Sequence, residues 1–228
     1  MNRKNKNSEY PTHLVCEGKI ISEDLQIAEA FNDFFINIGP KLSNAIKVPE
    51  NKSYKDLLKE KIHSNFHFDT VSMSEVQKVI ENLKPKSSSG HDGISSALLK
   101  DINLITVKII TIIINQSLLT GIFPNKLKLA KVVPIFKKDN PHMAGNYRPI
   151  SLLPAISKVF EKIAFKQLYS YFTKNNLLYK SQYGFRKGHS CELAAMEVTD
   201  KIFKHLDNKK LPIALYLDFS KALSLIHI

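Results

Sequence analysis

The spacing of apolar and polar residues predicts helices over most of the chain and strands only late. Leu25, Ala28, Phe31, Phe34, Phe35 and Ile38 recur at helical spacing, so they predict a helix from a cap at Ser22 to the breaker Gly39-Pro40. Residues 41–70 hold no sustained period and read as a linker with room for one short helix. Ser72 and Glu75 then form a capping-box pattern, in which the serine oxygen and the glutamate each satisfy a backbone N–H left unpaired at a helix start. Val76, Val79, Ile80 and Leu83 follow on one helical face until Pro85 stops the run.

The isoleucine-rich stretch 101–119 carries β-branched residues that favour strands, but it is too long for one, and Gly121 with Pro124 ends it as a helix ends. Thr106, Lys108, Thr111, Asn115 and Gln116 interrupt it and argue against a membrane span. Ala130–Phe136 reads as a strand, with Pro134 placing it at an edge or bulge. Residues 155–173 are an amphipathic helix through Ile156, Val159, Phe160, Ile163 and Phe172. Ser190 caps another that runs to about Asp207, with Met196, Thr199, Ile202, Phe203 and Leu206 on one face. Residues 213–219, an apolar run broken by Asp218, read as a short strand. The expected fold class is α+β, rich in helix.

Composition narrows the function classes. At 228 residues, 43% hydrophobic and 24% charged, the chain has the length for one large domain or two small ones, and it is neither collagen-like nor wholly disordered. Cys16 and Cys191 lie in no C-x-x-C pair, which excludes a disulfide scaffold and a thiolate zinc site. Cys191 stands at a helix start, and a buried structural cysteine is the better expectation. The basic start leads into no apolar stretch, so it is no secretory signal, and the chain reads as intracellular.

Charge adds the first positive clue. The 33 Lys+Arg outnumber the 21 Asp+Glu, for a net +12, and residues 121–190 alone hold 13 of the basic residues against Asp139 and Glu161. A field so concentrated fits a polyanion such as nucleic acid, while a solvated lysine-rich face accounts for it equally well on charge alone. His63 and His67 have a metal-compatible spacing but no third ligand nearby, so a polar surface segment is the better reading. No Walker A loop, dinucleotide fingerprint or H-E-x-x-H is present. Asp218 stands at the end of an apolar run, where a carboxylate is costly unless paired, solvated or metal-bound. By itself it reads as an acid at an exposed strand terminus.

Five blocks change that weighing: Lys86–Ile94 (KSSSGHDGI), Ala130–Lys138 (AKVVPIFKK), Asn146–Leu153 (NYRPISLL), Ser181–Ser190 (SQYGFRKGHS) and Leu217–Ala222 (LDFSKA). In this order and spacing they resemble the reverse transcriptase of non-long-terminal-repeat, LINE-type retrotransposons, from about Ser22 to Ala222. The resemblance implies a right-hand polymerase, an RNA template with a DNA primer, deoxynucleoside triphosphates, and two Mg²⁺ ions for phosphoryl transfer. It implies residues 1–70 as a helical linker, 71–210 as the fingers, 211–222 as the first palm strand, and 223–228 as a foreign tail. Asp218 matches the first metal-binding, catalytic carboxylate. Arg148 matches the fingers arginine that grips the triphosphate, and Lys137 or Lys138, Lys137 preferred, the fingers lysine that reaches the same phosphates.

Gln182, Gly184, Phe185 and Arg186 match the template-gripping segment, where an arginine contacts phosphate and an aromatic stacks on a base. Gly90, Asp92 and Gly93 match an upstream fingers turn. Two bland alternatives stay open: Tyr147-Arg148-Pro149 as a plain loop, and Phe185 as a core residue. The pattern breaks at Leu223 and Ser224, where the family has an aromatic and an aspartate, and its later paired aspartates have no match in the chain. These 228 residues are therefore expected to be inactive as a polymerase on their own. The other function class is a basic helical nucleic-acid-binding module without catalysis. The resemblance also implies action in the nucleus and no membrane partner.

Overall fold

The computed structural model describes residues 10–16, 18–45 and 65–217. Those up to Ile163 form one compact unit and those from Ala164 onward a second. In the first unit a small hairpin, β1 (Leu14–Cys16) and β2 (Lys19–Ile21), precedes helix α1 (Asp24–Ala45). Strands of three residues are too short to leave a period in the sequence, so this hairpin had no signature beyond Gly18, whose φ of 80° makes its turn. Helix α1 does not stop at Gly39-Pro40; it continues through Pro40 to Ala45. Proline removes one hydrogen bond and crowds the preceding turn, which bends a helix without having to end it.

Helices α2 (Met73–Glu81), α3 (Ser96–Asp101) and α4 (Asn103–Thr120) follow, and α4 is the helix expected from the isoleucine-rich stretch. The capping box at α2 is formed, with Glu75 N–H donating to Ser72 Oγ at 3.2 Å and Ser72 N–H to Glu75 Oε2 at 3.1 Å. A short α5 (Asn125–Lys128) leads into strands β3 (Lys131–Phe136) and β4 (Tyr147–Leu152), and β4 leads into α6 (Ala155–Lys174). Val76, Ile80, Leu99, Val107, Ile110, Ile114, Val159 and Phe160 close one core. Asn115 ties α4 to the segment entering α2, accepting from Val71 N–H at 2.7 Å and donating to Val71 C=O at 2.9 Å.

Among the described residues α4 is the one helix long and apolar enough to cross a membrane, so its polar interruptions do not exclude a span on length and composition. Its Val107, Ile110 and Ile114 are instead buried in the core, whereas Ile105, Ile109, Ile112 and Leu119 are exposed.

A second core joins α1 to the β3–β4 ribbon through Leu14, Ile27, Phe31, Phe35, Ala144 and Tyr147. Phe31 meets Tyr147 edge-on with ring centroids 4.8 Å apart. The helix expected from Ser22, inside the segment read as a helical linker, packs onto the ribbon.

In the second unit α7 (Cys191–Asp207) is capped by Ser190 Oγ, which accepts from Leu193 N–H at 3.3 Å. The expected strand at 213–219 is not formed over its described part: residues 211–217 carry no strand, and Ile213 and Leu215 are 96% and 82% exposed. A strand needs a neighbour to satisfy its backbone and cover its face, and no described segment pairs with this one. Asp218 and the tail 223–228 lie outside the described residues.

Candidate nucleic-acid interface

Strands β3 and β4 pair antiparallel, with Ile135 opposite Arg148 and Phe136 opposite Tyr147. Tyr147, Arg148 and Pro149 are therefore strand residues and not a loop. Lys137 N–H donates to Asn146 C=O at 2.9 Å and carries the pairing one step past β3. Side chains alternate across a pleated pair, so Lys131, Ile135, Lys137 and Arg148 belong to one face and Phe136, Tyr147 and Pro149 to the other. The second face meets α1, and the Tyr147 hydroxyl donates to Pro141 C=O at 2.7 Å. Burial pushes the Tyr147 phenol above its ordinary pKa. The first face leaves Lys131, Lys137 and Arg148 exposed. Lys137 and Arg148 are diagonal neighbours on it, within reach of one anionic group. Lys138 is exposed just beyond the paired residues.

The turn at Lys86–Ile94 does structural work for this ribbon. Gly90 lies so close to the β4–α6 corner that an added Cβ would stand 2.7 Å from Pro154 N and 2.9 Å from Leu153 C. Asp92 Oδ1 accepts from Ile94 N–H at 3.2 Å, and Gly93 takes a φ of 72°. The His91 ring nitrogen lies 3.2 Å from Leu129 C=O, just before β3. Three of the five blocks therefore meet in the first unit.

The fourth block is a loop between α6 and α7. Gln182 donates through Nε2 to Gly184 C=O at 3.1 Å. Phe185 is 88% exposed, with a φ of 58°, so it is not a core residue. Arg186, expected on phosphate, donates from Nη1 to the carbonyls of Tyr179 at 3.0 Å and Lys180 at 3.3 Å, and it is half-buried. A guanidinium satisfies several acceptors at once, and here it closes the loop on itself. Tyr183 donates to Glu197, and Lys201 donates to the other Glu197 oxygen. Lys201 first and Tyr183 second hold the Glu197 carboxyl below its usual range, while the bond to Glu197 raises the Tyr183 phenol. Of these partners only Glu197 and Lys201, four apart on one helix, leave a local trace in sequence. Tyr183 and Glu197, 14 residues apart in different elements, leave none.

No group of three His, Cys, Asp or Glu that could hold a metal exists among the described residues, and Asp218 lies outside them. His63 is also outside, and His67 is exposed. Cys191 is exposed too, against the expectation of a buried thiol, because α7 buries none of its residues.

Residues 135–227 match the family model for reverse transcriptase (RNA-dependent DNA polymerase). The chain is 30% identical over 197 residues to a probable RNA-directed DNA polymerase from transposon X-element of Drosophila melanogaster, covering 86% of this chain and 21% of that protein. The chain belongs to the LINE-type reverse transcriptases. Similarity extends to the probable RNA-directed DNA polymerase from transposon BS of the same fly, at 29% over 168 residues covering 73% of this chain and 18% of that one. The RNA-directed DNA polymerase from its mobile element jockey is 24% identical over 192 residues, 83% of this chain and 21% of the relative. This reverse transcriptase chain thus spans about a fifth of the length of the curated relatives it matches. Its helices and small sheets are consistent with the α+β class expected from the sequence.

Proposed function

We propose that this chain supplies the fingers of an RNA-directed DNA polymerase that copies RNA into DNA, with Lys137 and Arg148 on the phosphates of the incoming deoxynucleotide. The observation that carries this reading is the ribbon register, which puts both cations on the exposed face opposite the one packed on α1. A planar guanidinium beside an ammonium suits a triphosphate, since the fork takes two oxygens and the lysine a third. Gln182, Gly184 and Phe185 take the template in this reading, and Arg186 shapes their loop where direct phosphate contact was expected.

Mg²⁺ enters the proposal through Asp218 and would supply charge neutralisation for phosphoryl transfer; the described residues offer no donor set for it, and no step is derived through it. With one match to the metal-binding carboxylates, these 228 residues alone extend no primer. Work on an RNA template in the nucleus follows from the same reading. In a polymerase of the relatives' length, Arg148→Ala should raise the deoxynucleotide KM about tenfold or more, and Arg148→Lys should not restore it. An unchanged KM in both variants would remove Arg148 from the nucleotide site.

A further inference from the structure

Phe185 combines two costs. Its φ of 58° lies in the left-handed region that bulky side chains rarely adopt, and its ring is 88% exposed, so no burial offsets the strain. Such a conformation persists only where neighbouring contacts enforce it. The contacts flank Phe185 two residues away on either side. Tyr183 donates its hydroxyl to one Glu197 oxygen, Lys201 holds the other, and the His189 ring meets Tyr183 edge-on at 5.4 Å. On the far side Lys187 N–H donates to the Tyr169 hydroxyl of α6 at 2.9 Å. The turn is thereby tied to α7 before Phe185 and to α6 after it.

We infer that Glu197 is a positioning residue, acting through the Tyr183 hydroxyl to hold the Phe185 ring outward as a preformed stacking platform for a nucleic-acid base. The inference rests on the template reading of this loop and adds the residue that sets its geometry. An aromatic held in place before binding has less conformational freedom to lose when a base stacks on it.

Two measurements on the 228-residue chain test it. Amide hydrogen exchange should quicken about tenfold across 182–188 in Tyr183→Phe and Glu197→Ala, with α7 unchanged. Glu197→Gln, whose carboxamide oxygen still accepts from the Tyr183 hydroxyl but carries no charge, should recover only part of the slow rate. Binding of a short fluorescein-labelled single-stranded RNA, read by anisotropy at low salt, should weaken about tenfold in Phe185→Ala. Tyr183→Phe should also weaken binding, but add no further loss on the Phe185→Ala background. Unchanged exchange in the turn would overturn the inference, as would losses that multiply in the double variant. Quickened exchange with RNA affinity indifferent to Phe185→Ala would keep the tie and overturn the template reading beneath it.

Discussion

Pro134 of β3 and Pro149 of β4 stand directly opposite each other across the ribbon. Neither has an N–H, and the bond from Lys137 to Asn146 sets the alternation so that this pair is one the ladder does not use. Each proline nitrogen instead faces the outer edge of its own strand. Two edges that would otherwise present rows of donors to another strand are each interrupted at the centre. Pro134→Thr with Pro149→Thr should therefore leave the unfolding free energy in urea nearly unchanged, within about 1 kcal/mol, while self-association rises. Light scattering against concentration would check this, and a monodisperse double variant would refute it.

Gly90 and Gly184 make a matched pair of substitutions. A Cβ on Gly90 meets backbone of Leu153 and Pro154 under 3.0 Å, and backbone cannot swing away as a side chain can. Gly90→Ala should cost about 2–4 kcal/mol in urea unfolding. Gly184 has open space around its Cβ position and no positive φ, so Gly184→Ala should stay within about 1 kcal/mol.

Acid should loosen the second unit. The carboxyls of Glu197, paired with Lys201 and Tyr183, and of Glu192, bonded to Ser190, are both held below the ordinary value of 4.5. A depressed carboxyl contributes stability that is present above its unfolded pKa and lost as pH falls through its folded one. Amides of the loop 182–188, followed by exchange, should accordingly lose protection as pH drops below about 4.5. In Glu197→Gln that pH dependence should flatten. Equal slopes in the two proteins would exclude Glu197 as its source.

Asn115→Ala removes both bonds from α4 to Val71 and leaves a partly buried backbone N–H and C=O unpaired. The expected loss is about 1–3 kcal/mol by urea denaturation. Asn115→Asp, which keeps the acceptor but not the donor, should fall between Ala and the native residue.

Much of the secondary structure was legible because its causes are local. Ser72 and Glu75 make their box within one turn, Ser190 caps its helix three residues on, the apolar positions of α2 and α6 recur at helical spacing, and α4 showed in its length and the breakers that end it. The order of five short blocks likewise carried the family. Two expectations failed for different reasons: Pro40 did not end α1, since a proline can be carried inside a helix, and residues 211–217 formed no strand because no described segment pairs with them.

The sequence by itself determined the helices, the concentration of positive charge and the identity of the reverse transcriptase blocks, since each rests on contacts or composition within a few residues. Only the tertiary structure decided that Lys137 and Arg148 share a face, that Gly90 must be glycine to reach Pro154, and that Arg186 closes its loop while Phe185 stands exposed. Those relationships join residues distant in sequence. Their energies come from packing and from backbone groups that find partners only once the chain has folded.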